Sequence, residues 1–60
     1  MELLTIDQVS DWFQIKRSTI YIWAYRKQIP SQKVGGALRF ERQTLERWLE
    51  AQKRAITQED

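Results

Sequence analysis

The residue types that most often carry enzyme chemistry are missing from this 60-residue chain. The sequence contains no histidine and no cysteine, which removes the commonest general base and leaves neither an imidazole nor a thiolate as a metal ligand. It also lacks a glycine-rich phosphate loop, and Asp7 and Asp11 are typical of solvated acids on a helix surface. We therefore expect a protein that is not an enzyme and has no cofactor or small-molecule ligand.

Residues 16–30, KRSTIYIWAYRKQIP, offer a different chemistry. Four basic residues stand near the two ends of this segment, and three aromatic residues and three isoleucines lie among them. A fully solvated helix would have no use for Ile20 or Trp23, whereas a fully buried helix would not carry four cations. One face must therefore pack on the core while the other meets a polar partner. Guanidinium and hydroxyl groups donate hydrogen bonds to phosphates and base edges, which favours a nucleic acid.

The charge of the chain is concentrated in its middle. The net charge of +2 divides into −3 over residues 1–15, +6 over residues 16–42 and −1 over residues 43–60. Clustered positive charge in a small domain indicates an anionic partner. An ordinary solvated surface is the alternative that charge alone leaves open.

A capping box predicts the first helix. Thr5 is followed three residues later by Gln8, so each side chain can bond a backbone N–H of the other residue. This predicts a helix over 5–14, and we expect Leu3 and Leu4 before it to pack on the core. The predicted apolar face of the helix consists of Ile6, Val9 and Phe13, with Trp12 at its edge.

Two further helices are predicted, over 17–27 and 42–55. The second helix ends before Pro30. Its start is less defined, because Lys16 stands where a capping Ser or Asp would be expected. We expect Trp23 and Trp48 to be largely buried and to join these helices. The predicted apolar stripes are Ile20, Trp23 and Ala24 in one helix, and Leu45, Trp48 and Leu49 in the other.

Paired glycines in SQKVGGALRF predict a β-hairpin over residues 32–40. Two registers are possible. A two-residue loop pairs Val34 with Ala37, whereas a three-residue loop pairs Val34 with Leu38 and Lys33 with Arg39. We favour the second register, because it gathers the apolar residues on one face and both charges on the other.

Two short helices joined by a tight turn, the second one basic, predict a helix-turn-helix. A generic helical hairpin is the alternative, but the outward face of the second helix favours DNA. The hydrogen-bond donors on that face are Arg17, Ser18, Thr19, Tyr21, Tyr25 and Arg26. Lys33 and Arg39 would extend the basic surface onto the hairpin, from which they could reach phosphates or an adjacent minor groove.

Residues 3–50 resemble the excisionase-type helix-turn-helix domains, relatives of the MerR-type winged-helix group. The resemblance lies in a leading Leu-Thr, an RST-apolar-Tyr second helix, an apolar-Pro exit, a KVGG wing, an Arg-apolar return strand and a Leu-x-x-Trp-Leu closing helix. It implies a mostly α fold, a winged helix-turn-helix with three helices and a two-stranded wing. This sequence departs from the pattern at Gln14, where a turn glycine is usual, at Ile22, where a basic residue is frequent, and at Ala37, in place of a wing-tip arginine or polar residue.

The resemblance also implies where DNA would bind. Arg17, Ser18, Thr19 and Tyr21 would enter the major groove, and Arg39 on the wing would contact backbone or minor groove. Ile22 would pack on a thymine methyl group or touch another protein. The complete set of candidate contacts is Lys16, Arg17, Ser18, Thr19, Tyr21, Ile22, Tyr25, Arg26, Lys33 and Arg39.

Several functions remain open within this interpretation. We expect a DNA-binding domain over residues 1–56 with a flexible tail over 57–60, in a cytoplasmic protein without a membrane span. An excisionase would assist a recombinase or integrase and bind beside further copies of itself, while a transcription regulator or a terminase-type domain would use the same fold. A protein interaction module, using Tyr21, Ile22 and Tyr25, is the alternative outside DNA binding.

Overall fold

The computed structural model describes residues 2–57, and the side chains of residues 2–53. Within this range the chain forms three helices and a small antiparallel sheet of three strands. In chain order the elements are β1 (Leu3–Leu4), α1 (Ile6–Phe13), α2 (Arg17–Tyr25), β2 (Gln32–Val34), β3 (Ala37–Glu41) and α3 (Arg42–Thr57). This confirms the predicted winged helix-turn-helix. Of the predicted tail over 57–60, Thr57 ends α3 and the remaining residues lie outside the described range.

The capping box at α1 is formed as predicted. The backbone N–H of Gln8 donates to Thr5 Oγ1 at 3.2 Å, and the backbone N–H of Thr5 donates to Gln8 Oε1 at 2.8 Å. These two bonds satisfy backbone donors that a helix start leaves without an intrahelical partner. They fix the start of α1 directly after β1.

The helix α2 begins at Arg17 as predicted but ends at Tyr25, two residues earlier than expected. The helix ends here because Lys27 adopts a left-handed conformation, with φ 59°. The N–H of Lys27 donates to the carbonyl of Ala24 at 3.1 Å, and the N–H of Gln28 donates to the carbonyl of Trp23 at 2.7 Å. These two bonds are those of a Schellman motif, which satisfies the last carbonyls of a helix.

The hairpin has the two-residue loop, so the register that we favoured is wrong. Val34 pairs with Ala37, Lys33 with Leu38 and Gln32 with Arg39. Both loop glycines have positive φ, 59° and 88°, as in the type I′ turn that suits a two-residue hairpin. The turn sets the register here because β2 is exposed along its whole length and has no buried face to constrain it. Lys33 and Arg39 consequently point to opposite faces of the sheet.

A short strand that the sequence did not predict completes the sheet. Leu3 pairs with Glu41 and Leu4 with Phe40, so β3 lies between β1 and β2. Arg42 adds two hydrogen bonds beside the pairing of β1 with β3. Its backbone N–H donates to the carbonyl of Glu2 at 3.0 Å, and its side-chain Nε donates to the Glu2 carboxylate at 2.8 Å. The expected packing of Leu4 on the core is confirmed, whereas Leu3 remains partly exposed.

The buried core of the described residues takes one side chain from each element except β2, and one from the segment before Pro30: Leu4, Val9, Ile20, Ile29, Phe40 and Leu45. Trp23 and Trp48 flank it, and their ring centroids lie 6.1 Å apart, which confirms the predicted contact between α2 and α3. Both rings are largely buried, as predicted, although each keeps some exposure at the margin of the core. Trp48 also stacks on Phe13 at 5.9 Å, with an interplanar angle of 10°.

Trp48→Ala tests how strongly α3 is bound to the rest of the domain. The ring contacts Phe13 and Trp23, and its Nε1 donates to the carbonyl of Gln28 at 3.2 Å. Because the ring is largely buried but keeps some exposure, we expect a loss of about 3 kcal/mol, at the lower end of the ~3–5 kcal/mol of a fully buried tryptophan. Urea unfolding followed by circular dichroism measures this loss. Trp48→Phe, which keeps an aromatic ring, should lose less, and a wild-type midpoint for Trp48→Ala would show that α3 is not packed on the core.

Candidate nucleic-acid interface

The turn between α1 and α2 sets the direction of α2. Gln14 is left-handed, with φ 57° and ψ 46°, at the position where a glycine was expected from the family pattern. The carbonyl of Ser10 accepts from the N–H of Gln14 and from the N–H of Ile15, the latter at 3.2 Å. The Ser10 hydroxyl donates to the carbonyl of Ile15 at 2.7 Å. Ser10 thus bonds the turn through both its backbone and its side chain, and the turn is tight without a glycine.

The helix α2 starts without a side-chain cap. Lys16 occupies the N-cap position and makes no capping hydrogen bond through its side chain. Its carbonyl nevertheless accepts from the N–H groups of Thr19 and Ile20, at 3.1 and 3.2 Å. The helix therefore begins at Arg17, which defines the boundary that the sequence left open. Lys16 is exposed, so its ammonium group is accessible to a partner.

One face of α2 packs on the core and the other is free. Ile20 is fully buried, and Trp23 and Ala24 pack against the core beside it. On the other side Tyr21 is 52% exposed, Ile22 49% and Tyr25 89%. A helical wheel with 3.6 residues per turn puts Ser18, Ile22 and Tyr25 opposite the buried stripe. These residues project directly away from the domain.

Arg17, the first residue of α2, forms an ion pair with α1. Its Nη1 donates to Asp7 Oδ1 at 2.8 Å. Both side chains are well exposed, 62% for Arg17 and 69% for Asp7. Asp7 is therefore more than the solvated acid that its sequence context indicates, because it holds one nitrogen of a predicted DNA contact.

A groove separates α2 from the wing, which we define as residues 32–41. Tyr21, Tyr25 and Lys27 line one side of the groove, and Gln32 and Lys33 line the other. Two of these residues, Lys27 and Gln32, were not among the predicted contacts. Lys27 is basic but falls at the end of the predicted helix, and nothing in the hairpin pattern distinguishes Gln32.

Arg39 lies apart from this groove. The two-residue register places it on the face of the sheet opposite Lys33, and it is half-buried. Its Nη1 donates to the carbonyl of Leu38 at 2.7 Å. Of the ten predicted contacts, Arg39 and Thr19 are partly buried and the other eight are exposed.

No group of three or more acidic side chains in the described part of the chain could hold a metal ion. None of the described helices is long and apolar enough to cross a membrane.

Comparison with known families decides the class of the protein. A family model described as a helix-turn-helix domain matches residues 3–53. The chain belongs to the excisionase-type helix-turn-helix domain family. Comparisons with curated proteins and with solved structures give no match. The family resemblance predicted from the sequence is confirmed over nearly the same residues.

Membership makes this excisionase-type helix-turn-helix domain a DNA-binding protein with double-stranded DNA as its partner. In the helix-turn-helix motif the second helix lies in the major groove and the first crosses the backbone. The helix that corresponds to the second one is α2, whose outward face is the most exposed aromatic surface of the described residues.

Gln14→Gly tests the strain in the turn of this excisionase-type domain. A left-handed conformation costs a residue with a β-carbon about 1–2 kcal/mol, whereas glycine adopts it freely at a smaller entropic cost. We expect Gln14→Gly to raise the free energy of unfolding by about 0.5–1 kcal/mol, measured by urea unfolding. The control is Gln52→Gly, an exposed site inside α3, where the same change should lower stability by up to ~1 kcal/mol. Destabilisation by both variants would contradict the left-handed turn.

Proposed function

We propose that this protein recognises a specific DNA sequence, with α2 in the major groove and the wing over the adjacent backbone or minor groove. The observation that carries the proposal is the shared groove between α2 and the wing. Because Tyr21 and Tyr25 face Lys33 across it, a duplex lying on α2 would also meet the wing. One binding surface would then combine base contacts with phosphate contacts.

The exposed residues of α2 supply the base contacts in this proposal. Arg17 and Ser18 offer donors near the start of the helix, and Tyr21 and Tyr25 offer phenolic hydroxyls farther along it. Ile22 has no polar group, so its partner in the major groove would be the methyl group of a thymine. This mixture of donors and one apolar residue supports recognition of sequence in addition to backbone.

The basic residues around this face supply the phosphate contacts. Lys16 stands before α2, Arg26 follows it, and Lys33 lies across the groove. Thr19 and Arg39 are partly buried, so each would contact DNA with only part of its side chain. The Arg39 guanidinium keeps donors other than the bonded Nη1, since a guanidinium carries five N–H groups.

In the cell, we propose that the protein acts on cytoplasmic DNA as an excisionase, that is, a recombination directionality factor, or as a small transcription regulator of the MerR-like type. Both roles require DNA binding, which the helix-turn-helix family supports. The helix α2 has nine residues and presents few base-contacting groups, so a single site would be bound weakly. Binding beside further copies of itself, or beside a recombinase or integrase, would supply the missing affinity. A terminase-type role would use the same DNA face.

A second candidate function is a protein interaction module. Tyr21, Ile22 and Tyr25 are all at least about half exposed on one face of α2, and such a patch also suits a protein partner. Retention on nonspecific duplex DNA at low salt discriminates the two. A DNA-binding protein is retained and released by salt, whereas an interaction module passes through.

Alanine variants of Arg17, Lys33 and Arg39 test the division of roles. Arg17→Ala should weaken a selected site by ~1–3 kcal/mol more than a scrambled duplex, because it loses a base contact. Lys33→Ala and Arg39→Ala should weaken both duplexes alike and make the dependence on log salt shallower by about one unit each. Fluorescence anisotropy titrations at several salt concentrations measure both quantities.

Arg47→Ala is the matched control, because it removes one exposed positive charge from α3, outside the groove. It should change neither the specificity ratio nor the salt slope by a comparable amount. If both wing variants bound like wild type at every salt concentration, the wing would not contact DNA. If Arg17→Ala weakened both duplexes equally, Arg17 would be a phosphate contact.

A further inference from the structure

The ion pair between Arg17 and Asp7 connects the start of α2 to the start of α1. The contact is a single one, from Arg17 Nη1 to Asp7 Oδ1 at 2.8 Å, and it spans ten residues of sequence. Both groups are exposed, so the pair contributes little to stability. Its position at the edge of the DNA-binding face of α2 indicates a different consequence.

The pair leaves Arg17 with a defined set of free donors. A guanidinium has five N–H groups in a fixed plane, and Asp7 takes one of the two on Nη1. Among the residues that the structure describes, none bonds the edge formed by Nε and Nη2. That edge carries two parallel donors, which match the O6 and N7 acceptors of guanine in the major groove.

The Asp7 carboxylate also changes which partner Arg17 prefers. A phosphate that approaches Arg17 is repelled by the neighbouring negative charge, because like charges a few ångströms apart interact unfavourably. The O6 and N7 atoms of guanine carry no formal charge and avoid most of this repulsion. Asp7 therefore penalises backbone contact more than base contact.

We propose that Asp7 is a positioning residue that directs Arg17 toward a guanine and away from phosphate, and so raises specificity at the expense of nonspecific affinity. This inference rests on the proposed function, and it names the base that Arg17 contacts. Asp7 itself touches no base. It holds one end of the guanidinium plane, and its charge discourages the competing contact.

Asp11 provides a matched control on the same helix. It lies one turn after Asp7, is exposed, and borders the same concave surface as Arg17. Among the described contacts it forms no ion pair with Arg17. Asp7→Asn and Asp11→Asn thus remove the same charge from α1, but only the first removes the charge that is paired with Arg17.

The first experiment compares these two variants on a site selected from random duplexes and on its scrambled form. Asp7→Asn should bind the scrambled duplex about two- to fivefold more tightly, the range of an exposed ion pair. Its salt slope should steepen by about one unit, and its specificity ratio should fall by a similar factor. Asp11→Asn should keep the wild-type ratio. Equal ratios for the two variants would overturn the proposal, and thermal melts confirm that both are folded.

The second experiment identifies the base. Each guanine of the selected site is replaced in turn by 7-deazaguanine, which lacks the N7 acceptor. At one guanine we expect wild type to lose about fivefold or more in affinity, Asp7→Asn to lose less, and Arg17→Ala to lose nothing. In the Arg17→Ala background, Asp7→Asn should leave the specificity ratio unchanged, because Asp7 acts through Arg17. If no guanine replacement distinguished wild type from Arg17→Ala, the proposal would be wrong.

The two hypotheses fail in different ways. If the protein bound no duplex DNA at low salt, the proposed function itself would be wrong. If it bound a selected site but Asp7→Asn behaved like Asp11→Asn, sequence-specific binding would stand and the role of Asp7 would be rejected.

Discussion

The fold depends on a core that no single element can supply. The strand β1, the three helices, the segment before Pro30 and the strand β3 each contribute one fully buried residue to it. A chain of this length buries only about 60% of the surface that it exposes when unfolded, so few of these contacts are redundant. The position of α2 relative to the wing is therefore set by the same contacts that stabilise the domain. The proposed DNA-binding surface is thus positioned by the core beneath it.

Two left-handed residues border α2 and define its length. Gln14 closes the turn before the helix, and Lys27 ends the helix behind it. Neither is a glycine, so each holds a conformation that its side chain disfavours. The hydrogen bonds made by Ser10 at one end and by the Schellman motif at the other offset that cost. The result is a short helix with defined ends, whose outward face is exposed.

Much of this architecture follows from local patterns in the sequence. The sequence predicts the capping box at Thr5, the three helices and the start of α2. It does so because caps and 3.6-residue periodicity depend on residues only a few positions apart. The hairpin register was predicted wrongly, because it depends on the φ angles of Gly35 and Gly36 and not on a buried face. The two-residue strand β1 has no periodicity to detect and forms only by pairing with β3. The ion pair of Asp7 with Arg17 was equally invisible, since it requires the angle between two helices.

The central claim is that α2 and the wing meet one duplex together. Amide chemical-shift mapping of the uniformly ¹⁵N-labelled protein, titrated with a selected duplex, tests it most directly. The account predicts that the largest shifts fall on residues 17–26 and 32–36, with small shifts over residues 46–53 of α3. The indole resonance of Trp48, bonded to Gln28, should move little. Large shifts confined to α3 and to Trp12 and Trp48, with α2 and the wing unchanged, would contradict the account.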